Sequence, residues 1–258
     1  MLSSPLSVGL VVFALSLCAG IVPLVATFGP RSLHGVIAAA CGLFLGITFL
    51  HLLPELAERA RDGAPTILWG CVLAGLLAVF LADVALRARE GEQQDHALGD
   101  HPAHHGDHRV VGIATFVGLS IHTLAGAIGI GLGFEVVPLR NALIAATLAH
   151  KAAEAFSLAS VLRLAELKRR TSFLLLATYA LVTPVGIQVG RQLAGDVAPS
   201  ALGPLEGLAA GTFLYVAVAE LLPEVFHGRS DRPLKVLLLL AGIAASTALL
   251  IHPETRSP

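Results

Sequence analysis

Gly42-Leu-Phe-Leu-Gly-Ile47, followed after four residues by Leu52-Leu-Pro-Glu55, returns later in the chain as Gly211-Thr-Phe-Leu-Tyr-Val216, followed after four residues by Leu221-Leu-Pro-Glu224. Seven positions are identical at a single offset of 169 residues: Gly42, Phe44, Leu45, Leu52, Leu53, Pro54 and Glu55. Both copies lie inside apolar runs of about 20 residues or more, the length that crosses a bilayer as a helix. Eight such runs occur, at about 6–28, 35–57, 66–87, 110–134, 139–163, 172–192, 203–225 and 233–251. Strands need only about ten residues to cross, so helices are the structure that fits. The copies fall in runs two and seven, five runs apart, and therefore cross in opposite senses. An inverted repeat of this kind marks secondary transporters, whose substrate site lies near the midplane between the repeats.

Composition agrees with this all-α membrane reading. Hydrophobic residues make up 55% of the 258, with 26 glycines besides, and charged residues only 14%, against about 25% in an average soluble domain. A net charge of −1 leaves no basic excess for nucleic acid. Cys18, Cys41 and Cys71 all sit in apolar runs, which argues against a disulfide framework or a thiolate zinc site. Residues 1–28 contain no Lys or Arg, so the first run reads as a retained span rather than a cleaved signal. The chain reads as one transmembrane domain over 1–258.

Most connections are short. The segment 88–109 differs: it is polar and carries His96, His101, His104, His105 and His108, interleaved with aspartates. Imidazole and carboxylate together suit loose contact with a divalent metal. Placing the N-terminus outside puts 11 Lys and Arg on inner segments and 5 on outer ones, so both termini are expected outside and the His-rich loop in the cytoplasm. Short loops and the absence of a targeting segment fit a bacterial inner membrane.

Ionisable groups deep in a span cost on the order of 2.5–3.5 kcal/mol on insertion scales and so mark function. His51 and Glu55 end span two, Asp83 lies near the inner end of span three, and Glu220 and Glu224 end span seven; these are pathway candidates. The strongest cluster is His122 and Thr123 in span four with His150, Lys151 and Glu154 in span five. His150 and Glu154 share a helix face at i, i+4. Gly126, Gly129, Gly131 and Gly133 would let the two helices approach closely. Two imidazoles and one carboxylate suit Zn²⁺ with water in the remaining position. The residues alone leave open a plain Lys151–Glu154 ion pair with two hydrogen-bonded histidines.

The combined motifs resemble the ZIP (Zrt/Irt-like protein) family of divalent metal transporters, over the whole chain. His51-Leu-Leu-Pro-Glu55 is similar to that family's second-span motif. His122-Thr-Leu-Ala-Gly-Ala127 occupies the place of its fourth-span motif, usually His-Asn/Ser-x-x-Glu-Gly, and His150-Lys-Ala-Ala-Glu-Ala155 the place of its fifth. The resemblance implies a 3+2+3 arrangement with spans 1–3 and 6–8 as the inverted repeat. It implies Zn²⁺ as substrate, with Fe²⁺, Mn²⁺ and Cd²⁺ as relatives, no organic cofactor, and an elevator-like shift of the bundle that carries the metal. Small-residue faces allow a homodimer. The departures are specific. Gly126 replaces a carboxylate that bridges two metals in the family, Lys151 replaces an acid, and Thr183 stands where some members place a sixth-span Glu. These losses leave one expected core site, His122, His150 and Glu154, modulated by Lys151, Thr123, Gly126 and Thr183. The same donors would also suit a non-transporting metal sensor. A membrane-embedded zinc hydrolase is disfavoured, because no His-Glu-x-x-His occurs and Lys151 fills the place of a general base. The expectation is a transporter, not an enzyme.

Overall fold

The structure, a computed structural model, describes residues 4–26, 29–62, 65–95, 104–195, 202–226 and 231–250. They form eight helical rods. We number these α1 (Pro5–Val25), α2 (Pro30–Ile47, a π-helical turn Thr48–Leu52, then Leu53–Asp62), α3 (Pro65–Asp95) and α4 (His104–Leu132). They continue with α5 (Val137–Leu164), α6 (Arg169–Leu193), α7 (Leu202–Tyr215, a π-helical turn Val216–Leu221, then Leu222–Phe226) and α8 (Arg232–Leu250). No strand occurs among the described residues. Six stretches, in α1, α2, α3, α4, α6 and α7, are long and apolar enough to cross a membrane by length and composition. In α5 the polar side chains of Asn141, His150, Lys151 and Glu154 dilute the apolar run. Large apolar side chains face outward along the rods, for example Leu73, Leu77, Leu81 and Val84 on α3 and Leu234, Leu237 and Leu240 on α8. Such a surface suits lipid rather than water.

Local signals set the rod ends. Ser4 caps α1 through a reciprocal box with Ser7, and prolines open α1, α2 and α5. The two π turns are repeat counterparts. Pro54 and Pro223 have no N–H to give, and their rings crowd the carbonyl four residues back. In each rod the turn widens, and the N–H of Leu53 or Leu222 bonds five residues back, to Thr48 or Ala217.

Packing repeats the same symmetry. α2 lies along α8 and α7 along α3; α4 lies along α6 and α5 along α1. A β-carbon at Gly42 would collide with the Leu239 carbonyl of α8, and one at its counterpart Gly211 with the Val72 carbonyl of α3. Backbone contact at both places explains why glycine recurs there. The rods thus form two groups, α1, α4, α5, α6 and α2, α3, α7, α8, which meet largely where α4 packs on α7.

One detail differs from the sequence reading. Gly131 does not bring α4 to α5; a β-carbon there would meet the Ile187 carbonyl and Gly190 of α6. Gly126 faces open space. Within the polar segment 88–109, α3 runs on to Asp95 and α4 begins at His104; residues 96–103, His96 and His101 among them, lie outside the described residues. His104, His105 and His108 fall on the first turns of α4, and their side chains also lie outside what is described.

Candidate metal centre

The centre is assembled from four rods. α5 presents His150, Lys151 and Glu154 over one turn, α4 presents His122 and Thr123, α6 presents Tyr179, and α7 closes the far wall. Glu154 is 0% exposed and Lys151 1%. The carboxylate divides its oxygens. Oε2 accepts hydrogen bonds from Lys151 Nζ at 2.9 Å and Tyr179 Oη at 2.6 Å. Lys151 Nζ also donates to Thr123 Oγ1 at 2.7 Å and to Tyr179 Oη at 2.8 Å. Four polar groups therefore satisfy one another on that side, as a buried charge pair requires.

Oε1 is left to the other side. It lies 3.2 Å from His122 Nε2 and 3.4 Å from His150 Nε2, and it accepts no hydrogen bond among the described residues. The reason is the tautomer of His122. Its Nδ1 sits 2.9 Å from the Ala209 carbonyl, which can only accept, so Nδ1 carries a proton, and in the neutral ring Nε2 carries the lone pair. That lone pair points at a carboxylate oxygen. With a neutral ring, two electron-rich atoms face each other in apolar surroundings, and a cation between them, a proton or a metal ion, relieves the repulsion. The spacing fits one: tetrahedral bonds of about 2.0–2.2 Å place neighbouring donor atoms roughly 3.3–3.5 Å apart. The three donor atoms all lie within 4.8 Å of one another, and they are the only cluster of three or more His, Cys, Asp or Glu of this kind among the described residues.

A cavity of about 100 Å³ adjoins the cluster. Gly126, Thr183, Leu52, Leu205, Glu206 and Ala209 line it together with the donors. A side chain at Gly126 would meet nothing within 4 Å, so the place of the missing fourth-span carboxylate is empty space. Thr183 Oγ1 is buried at the cavity without a hydrogen-bond partner.

The pathway candidates do not join this cluster; they divide between the two ends of the molecule. Glu55 pairs with Arg59 at 3.1 Å, and Arg59 in turn holds Glu206 at 3.0 Å, so this trio sits at the cavity mouth. His51 lies in the π turn of α2 and is not part of the donor cluster. At the other end Asp83 accepts from Arg87 at 3.0 Å and from Tyr215 at 3.1 Å, and Glu224 lies 3.8 Å from His34. Glu220 is buried in the π turn of α7.

Comparison with known sequences decides what this arrangement belongs to. The family described as ZIP zinc transporter matches residues 87–250. The chain belongs to the ZIP family. Zinc transporter ZIP1 of Homo sapiens is 36% identical over 135 residues, covering 51% of this chain and 41% of that protein. Zinc transporter ZIP2 of Mus musculus is 29% identical over 233 residues, 72% of this chain and 74% of that protein. Zinc transporter 3 of Arabidopsis thaliana is 26% identical over 234 residues, 80% and 68%. The part of this ZIP chain that matches human ZIP1 spans about two-fifths of that protein's length.

Sequence reasoning missed Tyr179, the Ala209 carbonyl, Glu206 and Arg59. Tyr179 is one of two tyrosines in the chain and lies one turn before Thr183-Pro184, a weak signal. A backbone carbonyl leaves no mark in sequence at all.

Proposed function

We propose that this chain carries divalent metal cations, Zn²⁺ foremost, across a membrane through a single site formed by His122, His150 and Glu154. One observation supports this above the others: two imidazoles and a buried carboxylate bring their donor atoms together beside a cavity, in a chain of the ZIP family. The ion supplies the positive charge that those donors lack, and water fills its remaining position. The α1, α4, α5, α6 group carries the donors and shifts against α2, α3, α7 and α8 in an elevator-like motion. Fe²⁺, Mn²⁺ and Cd²⁺ meet the same donors and act as competitors. Both termini face outward across a bacterial inner membrane, and the His-rich segment gathers zinc loosely on the cytoplasmic side. A second copy of the chain completes a homodimer in the bilayer. Lys151 fills the position a hydrolase would need for its base, which supports transport over catalysis.

Zinc uptake into proteoliposomes tests the reading. Wild-type chain is expected to fill the vesicles, and Glu154→Ala chain to leave them at background. Zinc binding without any uptake would mark a sensor and overturn transport.

A further inference from the structure

We infer that the Phe44–Phe213 ring pair is a fixed barrier on which the ion site rests, closed in every state of the transport cycle. The inference rests on the transport reading. Phe44 and Phe213 are counterparts in the two sequence copies. Their ring centroids lie 4.6 Å apart with the planes at 42°, and both residues are 0% exposed. A pair formed by two counterparts lies on the axis that relates the repeats. Exchanging the repeats exchanges the rings and leaves the pair as it was.

Phe213 also floors the site. It stacks on His122 at 4.2 Å and 28°, and meets His150 edge-on at 6.1 Å. The cavity adjoins the donors and reaches neither ring. Its lining from α2 and α7 is Leu52, Leu205, Glu206 and Ala209, all toward the Glu55–Glu206 end. The counterparts of Leu52 and Glu206 are Leu221 and Ile37, both 0% exposed. Equivalent stretches of backbone are thus open at one end and closed at the other. In an inverted repeat, exchanging those two conformations opens the second end and closes the first. Both rings belong to the α2, α3, α7, α8 group against which the donors move, and the pair maps onto itself, so it stays in place through that exchange. Beyond it lie the buried carboxylates of Asp83, Glu220 and Glu224. The donors on α4 and α5 carry the ion past the rings, and nothing passes between them.

The test does not depend on zinc. A cysteine-free chain bearing Glu220→Cys is reconstituted in vesicles and exposed to a membrane-impermeant, thiol-reactive ammonium reagent. The reagent is applied on the side that labels a Glu206→Cys control. With both rings present, position 220 is expected to stay unlabelled from that side. Adding Phe44→Ala and Phe213→Ala is expected to raise its labelling about tenfold or more, the change that about 1.4 kcal/mol of lost barrier produces. Phe213→Leu keeps the bulk and loses the stacking face, so it should stay unlabelled while binding zinc more weakly. Equal labelling of 220 with and without the rings overturns the barrier. If the double variant is unstable, each single alanine variant is read the same way, with the same outcomes for and against. A wild-type chain that moves no zinc overturns the transport reading, whereas the labelling result decides the barrier independently.

Discussion

The two sides of Glu154 face opposite demands. Toward α6, its Oε2 is held by Lys151 and Tyr179, and every polar group there has a partner. Toward the cavity, its Oε1 has none, and two imidazole nitrogens approach it. On the proposed reading, one carboxylate serves two cations. The α6 side keeps Lys151 paired to the carboxylate, which makes an ion-free buried carboxylate tolerable. The cavity side stays under-satisfied, which is what a divalent ion relieves. Lys151 addresses Oε2 while the imidazoles approach Oε1, so an ion on the cavity side would leave the Lys151 contact in place.

Removing the carboxylate destroys both sides and gives the largest effect. Glu154→Ala leaves the Lys151 ammonium buried and unpaired, a loss of about 3–5 kcal/mol by analogy with other broken buried pairs. Calorimetric zinc affinity should fall by roughly 10²–10³-fold, with uptake at background. Near-normal zinc transport by this variant would falsify the assignment of the site.

Tyr179→Phe alters only the α6 side. A hydrogen bond to a charged group contributes about 1.5–3 kcal/mol, so losing the 2.6 Å bond should weaken zinc binding about tenfold by loosening the carboxylate. Unchanged affinity would show that Lys151 alone holds Oε2.

Lys151→Met separates holding from repulsion. With the ammonium gone, zinc should bind about tenfold tighter, or roughly 1.4 kcal/mol, still at one ion per chain. Weaker binding would mean that positioning outweighs charge repulsion and would reverse the comparison. Lys151→Asp combined with Gly126→Glu puts acids where an ammonium and open space now lie. Calorimetry should then count two core ions; a count of one would show that the empty space cannot become a site.

The smallest change concerns the cavity mouth. Arg59→Gln frees Glu55 and Glu206, and pairs this exposed contribute about 0.2–1 kcal/mol. The apparent KM for zinc uptake should fall about twofold to fivefold with kcat unchanged, and the effect should shrink as salt is added. A lowered kcat would place Arg59 in the moving machinery instead.

The fold was legible because its cues are repetitive and local. Apolar runs set the eight rods, and the two Leu-Leu-Pro-Glu stretches carried both the inversion and the proline-driven π turns. His150 and Glu154 were legible because i, i+4 spacing on one helix fixes a shared face. Joining His122 to them rested on packing, and there the glycine argument fits only in part: Gly133 abuts Leu139 of α5, whereas Gly131 serves α6. What fixes the His122 tautomer is a backbone oxygen 87 residues away, and any residue at 209 would supply it. Glu206 was overlooked because a carboxylate near the start of a span reads as ordinary solvated charge. Its role at the mouth comes from Arg59, which is distant in sequence.

The paired π turns make α2 and α7 jointed rods. Where a helix has one residue too many for its turn, an N–H has two candidate carbonyls, four and five residues back. Passing the bond from one to the other swivels everything beyond it without leaving a donor unpaired. Each rod has such a knuckle between its buried middle and its Pro-Glu tip, one toward Glu55 and one toward Glu224. Opposite ends of the molecule can therefore flex by turns while Gly42 and Gly211 stay pinned to their neighbours.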